Sequence, residues 1–333
     1  MLALPSIVRA LLDPYAYPER PEKVELVQTQ MSFILLAGSY VYKIKKPVNL
    51  GYLDYTTLVK RRFFCDQELR LNRRLCPAAY LAVVSVVEKD GQIRVEQEGE
   101  PVEYAVKMKR LPQERMMDLL LPRGEVTRSM VRKVAEKLVN FHETAETNQE
   151  IAAFGRLGVI RQNWNENFAQ TEKYIGFSIS KTSYERIKSY ADDFMKKNAD
   201  CFDRRVADGR IRDCHGDLHA AHVCFTQEIC IYDCIEFNDR FRFCDVASEI
   251  AFLAMDTDRY QRPALSRHLV DEYIAMSGDE DLLKLLNFYK CYRAYVRGKV
   301  ESFKLGDPYV PEQDKARVLT AARIYFQLAE SYI

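Results

Sequence analysis

Apolar residues alternate with polar ones in short runs over the first hundred residues, then recur every third or fourth position over most of the remainder. Val24 to Gln28 and Phe33 to Leu36 read as strands separated by Thr29-Gln-Met-Ser32, and Ala37-Gly-Ser39 reads as a tight turn. Tyr40 to Lys45 alternates, with Val41, Lys43 and Lys45 on one face and Tyr40, Tyr42 and Ile44 on the other; Pro47 closes the strand. A helix capped by Asp54 or Thr56 is expected to run through Leu75, with Pro77 just beyond. Strands follow at Leu81 to Glu88, Ile93 to Glu96 and Tyr104 to Lys109. Strand signals then nearly vanish until residue 223. The pattern therefore divides the chain into a first lobe, 1–110, and a mainly helical second lobe, 111–333.

Helical spacing marks Thr127 to Glu143, Ser183 to Val206 with Gly209 as its stop, Val246 to Met255 behind an Asp245 cap, Pro263 to Met276, Asp281 to Leu305 and Glu312 to Tyr332. Val223 to Phe225 and Ile229 to Tyr232 are β-prone, with Thr226-Gln-Glu228 as a turn between them. A tight hairpin there carries Asp217 and Asp233 back to one end.

Glu68 interrupts an apolar stripe of Phe64, Leu71 and Leu75. A carboxylate buried there must be paired, because burying it alone costs several kcal/mol; a lysine from the preceding strand is the natural partner. The alternative places Glu68 at the edge of the stripe, reaching water. On the helix Asp281 to Leu305, Lys290, Arg293, Arg297 and Lys304 share a face that is either an anion-binding wall or a solvated basic surface.

Composition narrows the function classes. The 49 basic and 48 acidic residues give a net charge of +1, which offers nucleic acid no basic surface. No apolar run is long enough for a membrane span, and the opening Met-Leu-Ala-Leu-Pro run is too short for a signal peptide. Nine scattered cysteines without a CxxC pair suit free, mostly buried thiols in a reducing, cytoplasmic setting. The pattern carries no signal for oligomeric state.

Three of the five histidines, His215, His219 and His222, lie within eight residues of the stretch Asp213-Cys-His-Gly-Asp-Leu-His-Ala-Ala-His222. Spacings of four and three would make a zinc face on a helix, and a metal hydrolase is one reading. Gly216 and the β-prone run after residue 222 speak against a helix. Asp217, in a glycine-containing loop, can accept a proton from an attacking hydroxyl. Asp233, after a strand, can hold a divalent cation, with Glu236 and Asp239 nearby. A strand lysine and a helix glutamate complete the parts needed for ATP-dependent phosphoryl transfer.

His215-Gly-Asp-Leu-His219, with Asp233 downstream and Asp245-Val-Ala opening a helix, resembles the aminoglycoside phosphotransferase and choline kinase family. Tyr42 to Val48, Glu68 to Arg74 and Phe237-Asn238 resemble an uncharacterised bacterial branch of it. In some members of that branch a P-loop ATPase domain follows; with no GxxxxGK[ST], this chain is expected to be the phosphotransferase-like half alone. The resemblance implies an α+β, protein-kinase-like two-lobed fold, with a small β-sheet plus helix in the N-lobe and a mainly helical C-lobe. It implies ATP and Mg²⁺ (or Mn²⁺) as cofactors and a small-molecule hydroxyl as acceptor. It makes Asp217 the base and Asp233 the principal metal ligand. Lys43 would contact the α- and β-phosphates with Glu68 holding it, and Lys45 is the reserve. The turn from Thr29 to Ser32 would lie over the triphosphate, and Met108 to Leu111, including Arg110, would form the adenine hinge. His222 stands where the family has an Asn metal ligand. An imidazole suits Mn²⁺ better than Mg²⁺, so the outcomes are coordination of Mn²⁺, Mg²⁺ held through water, or a weakened site in a nucleotide-binding pseudokinase.

Overall fold

The computed structural model describes residues 4–307 and 310–333, so the first three residues of the opening apolar run lie outside it. A short helix α1 (Ser6–Ala10) precedes a six-stranded antiparallel sheet and its helix: β1 (Val24–Gln28), β2 (Ser32–Ala37), β3 (Tyr40–Lys45), α2 (Leu58–Asn72), β4 (Tyr80–Lys89), β5 (Gln92–Val95) and β6 (Pro101–Lys109). The strand order is β1-β2-β3-β6-β4-β5. Alternation on β3 sorts its side chains as the pattern predicts. Tyr42 and Ile44 join Phe33 and Leu35 in a core closed by Val8, Leu11, Ala16 and Tyr17. Lys43 and Lys45 point the other way, towards α2.

The face that α2 buries is unusually polar: Arg61, Glu68 and Asn72 are enclosed with Cys65 and Leu71. Each polar group has partners, as burial demands. Arg61 Nε donates to both Glu103 carboxylate oxygens, at 2.9 and 2.8 Å. Glu68 is buried and ion-paired, which settles the choice between a paired carboxylate and an edge position. The cap is Thr57, whose hydroxyl accepts from Lys60 N–H; Asp54 instead binds Thr56 in a turn before the helix.

The chain continues through α3 (Met117–Arg123), α4 (Arg128–Thr144), α5 (Gln149–Ala153), α6 (Leu157–Thr171), α7 (Lys181–Lys197), α8 (Ala199–Ala207), β7 (Ile211–Asp213), β8 (Val223–Phe225), β9 (Ile229–Ile231), α9 (Asp239–Arg242), β10 (Phe243–Asp245), α10 (Val246–Arg259), α11 (Pro263–Ser277), α12 (Leu282–Phe303) and α13 (Glu312–Glu330). The helix expected over Ser183 to Val206 is two helices, because the backbone breaks at Asn198 (φ −116°, ψ 22°). α6 carries no marked apolar stripe, yet its Trp164 is wholly buried and stacks on Phe168 at 5.2 Å. α10 is buried on nearly every side, the mark of a core helix rather than an amphipathic surface one.

The chain folds as two compact units: Met1–Arg115 with Cys224–Asp239, and Met116–Val223 with Arg240–Ile333. From Cys224, the second residue of β8, the hairpin and the segment after it therefore return to the first unit. A disulfide joins Cys76, just beyond α2, to Cys230 on β9, with the Cα atoms 4.7 Å apart. This corrects the expectation that every cysteine is a thiol, since nothing in the spacing of these two in sequence reveals their proximity; the other seven carry thiols. No helix among the described residues is long and apolar enough to cross a membrane.

Candidate active site

In the first unit, two lysines meet three carboxylates. Lys43 Nζ lies 2.8 Å from Glu68 Oε1 and 2.6 Å from Asp233 Oδ1. Lys45 Nζ lies 2.7 Å from Glu68 Oε2 and also bonds Glu236, which accepts the Tyr55 hydroxyl at 2.6 Å. Glu68 is thus a bridge, one oxygen to each lysine, possible because Lys43 and Lys45 are two apart on one strand face. Burial alone would lower the Lys43 amine, but Asp233 and Glu68 hold it well above its ordinary value. Glu236 and Glu68 do the same for Lys45 against the same penalty. Burial would raise Glu68, and the two lysines hold it below the usual carboxylate range.

The lysines differ in surroundings. Lys45 is 1 % exposed and enclosed by Tyr55, whereas Lys43 faces Asp233, whose side chain is 42 % exposed. Asp233 has φ +64°, a left-handed conformation that costs a non-glycine residue about 1–2 kcal/mol, although aspartate tolerates it better than most. Its N–H donates to the Tyr80 hydroxyl at 3.3 Å, and the next N–H, of Cys234, donates to Asn72 Oδ1 at 2.9 Å. The backbone around the strained residue is therefore held from both β4 and α2.

The other sequence-predicted nucleotide residues lie elsewhere in this unit. Thr29 Oγ1 accepts from the N–H groups of Met31 and Ser32, closing the β1–β2 turn; Ser32 is buried and Thr29 exposed. Met108 is buried on β6 opposite Val41, and exposed Arg110 donates its N–H to Ser39 O at 2.9 Å.

Asp217 and His222 belong to the second unit. The loop that carries them leaves β7, which pairs antiparallel with β10. The loop is clamped mainly through its backbone. Glu249 Oε1 accepts from the N–H groups of His215 and Gly216, at 2.7 and 2.8 Å. Its other oxygen meets His142 Nε2 at 2.8 Å, and His142 Nδ1 meets the Tyr273 hydroxyl at 2.9 Å. Arg293 donates to Gly216 O at 3.0 Å, and Asp256 accepts from Ala220 N–H at 2.9 Å. Gly216 has φ +87°, which only glycine adopts without strain. His215, His219 and His222 do not form a helical face. The loop runs extended into a 3-10 turn at Ala220–His222, and His215 Nδ1 accepts from Asp217 N–H at 3.3 Å.

The Asp217 side chain is one-third exposed. Burial of its surroundings works to raise it, but His219, His222 and Arg297 hold it well below the usual carboxylate range. It is an ionised acceptor at neutral pH. The basic face of α12 divides: the Lys304 side chain is 44 % exposed and, like Arg297, pairs with Glu301, whereas the other two cations turn inward. Lys290 pairs with Asp258 at 2.8 Å, Arg293 holds the loop, and both are buried.

Glu249 escaped the sequence reading although it sits in an apolar helix, the same signal that marked Glu68. Burial alone would raise it; His142, His215 and the Gly216 N–H bring it to about 2. Its contribution is fully present above the unfolded-chain value of about 4.3 and is lost as pH falls towards 2. Glu249→Gln should therefore cost about 3 kcal/mol at pH 7, and the gap to the parent in urea unfolding should close between about pH 4.3 and 2. A gap that stays constant on acidification would rule out the ionised carboxylate as its source.

No family model matches the chain. It is 31% identical over 318 residues to uncharacterised proteins of Mycobacterium tuberculosis (strain H37Rv) and Mycobacterium bovis, an alignment covering 94% of this chain. The chain spans 62% of the length of these curated relatives. Among solved structures, it is similar to a choline/ethanolamine kinase family protein from Mesorhizobium loti (TM-score 0.55, 11% identity, 98% of this chain and 97% of that one). It is similar as well to the ADP-bound aminoglycoside phosphotransferase APH(2'')-Ib (TM-score 0.54, 15% identity, 97% and 99%). The chain has the α+β, protein-kinase-like fold of the choline/ethanolamine kinase and aminoglycoside phosphotransferase structures.

Proposed function

We propose that the protein is an ATP-dependent phosphotransferase acting on a hydroxyl group of a small molecule. The observation that carries this reading is the chain of contacts from Glu68 through Lys43 to the exposed carboxylate of strained Asp233. A lysine fixed by a buried glutamate is a stationary cation for phosphate oxygens, and catalysis of phosphoryl transfer is mostly positioning and charge. Lys43 takes the phosphate-binding role; Lys45, enclosed by Glu68, Glu236 and Tyr55, anchors the glutamate.

The donor set fits a divalent cation. Asp233 offers exposed carboxylate oxygen, and three carboxylates beside two lysines leave negative charge in excess, favouring a cation there. Bound Mg²⁺ or Mn²⁺ would neutralise charge on the transferring phosphoryl group. Asp233 would be its principal ligand and His222 a second. Asp217 is the base: it receives the acceptor's hydroxyl proton, and its clamped loop keeps the carboxylate in place. The Thr29 to Ser32 turn covers the triphosphate, and Met108 to Leu111 receives the adenine.

ATP consumption tested over sugars, aminoalcohols, aminoglycosides and nucleosides, with each metal, is expected to give turnover on one class. His222→Asn should raise the Mg²⁺ rate relative to the Mn²⁺ rate, because an amide oxygen suits the harder ion. Absence of both ATP binding and turnover with either metal would refute the reading; binding without transfer would make the protein a nucleotide-binding module.

A further inference from the structure

His219 and His222 turn nitrogens towards one oxygen. Asp217 Oδ2 lies 3.5 Å from His219 Nε2 and 3.7 Å from His222 Nδ1. The two rings lie side by side with centroids 4.0 Å apart, and each of the three residues can bring a donor atom within 4.8 Å of the other two. Ligands on a tetrahedral ion with bonds of 2.0–2.1 Å stand about 3.4 Å apart, close to the 3.5 Å between Asp217 Oδ2 and His219 Nε2. Two imidazoles and one carboxylate match the three-ligand sets that bind Zn²⁺ and leave a fourth position to water. They do not match Mg²⁺, which prefers oxygen.

The arrangement is built by the backbone. His219 N–H donates to Asp217 O at 3.1 Å, and His222 N–H to His219 O at 2.9 Å. His222 Nδ1 lies 2.8 Å from Asp217 O; donation there places the ring's lone pair on Nε2 and orients it, as backbone carbonyls commonly do for metal-binding histidines. Ala220, between the two histidines, is pinned by Asp256. The carboxylate is one-third exposed, so an ion can reach it.

We propose that Asp217, His219 and His222 form a binding site for a first-row transition metal, Zn²⁺ fitting the donor set best, and that occupancy inhibits the protein by engaging Asp217. Binding stands on the geometry of the three side chains alone. Inhibition rests on the phosphotransferase reading, in which a metal-bound Asp217 no longer accepts the hydroxyl proton.

The test titrates Zn²⁺ alone, against a chromophoric chelator, into the metal-free protein of residues 1–333 without nucleotide, with Co²⁺ as the spectroscopic probe. One equivalent should bind to the parent. Affinity should fall at least tenfold in His219→Gln and, independently, in His222→Asn, each checked for parental circular dichroism. The Co²⁺ complex should show visible bands without the near-ultraviolet thiolate-to-metal band that a cysteine site would add. No binding, equal binding by parent and both variants, or a thiolate band would overturn the site. In the turnover assay, Zn²⁺ should inhibit the parent at the concentration at which it binds, and His219→Gln should need at least tenfold more. Binding without inhibition would overturn the regulatory half. An inactive protein that still binds Zn²⁺ through these residues would instead refute the phosphotransferase reading, and with it the inhibition, while leaving the metal site standing.

Discussion

Glu68→Gln should destabilise the first unit by about 1.5–3 kcal/mol, the worth of hydrogen bonds to a charged group rather than the larger cost of stranding a buried charge. The change keeps the shape of the side chain and removes only its charge. Lys43 retains Asp233 and Lys45 retains Glu236, so neither lysine is stranded, but both then share their enclosure with one carboxylate fewer. For a unit of this size the loss corresponds to a fall in Tm of roughly 3–12 °C. A midpoint unchanged in Glu68→Gln would show that the bridge contributes nothing. In turnover, the single variant should raise KM for ATP, because Lys43 loses the partner that fixes it.

Asp217→Asn should lower kcat by about 10²–10⁴, the usual contribution of a positioned base. The loop is held by bonds to the backbone of His215, Gly216 and Ala220, none of which involves the Asp217 carboxylate. Folding and KM for ATP should therefore change little, and the loss should fall on kcat. A kcat within a few-fold of the parent would remove Asp217 from proton transfer and leave it a positioning role. A loss confined to KM would place it in binding.

The pairing at Glu68 was legible because two periodicities intersect there. A strand with lysines on every second residue precedes a helix whose apolar stripe holds one carboxylate, and burial cost forces the match. The shared use of Glu68 by both lysines was not legible, since Lys43 and Lys45 occupy the same face and sequence spacing ranks neither above the other. Glu249 shows a different limit. Besides His142, its partners are backbone N–H groups more than thirty residues away, and backbone groups carry no residue-type signal. Cys76 and Cys230, 154 residues apart, likewise meet only through tertiary structure. The break at Asn198 was missed because apolar spacing continues across it: Phe194 and Phe202 both pack against Phe288, one from each helix.

The first unit draws its last segment, Cys224–Asp239, from beyond a long insertion at 116–223. Domains generally form during synthesis at about 5–20 residues per second, so roughly 100 intervening residues delay that segment by about 5–20 s. Until it leaves the ribosome, the nascent sheet holds Lys43 and Lys45 against Glu68 alone, with Asp233, Glu236 and Cys230 not yet made. The buried charge cluster of the unit that translation begins first is thus complete only once residue 236 has been added.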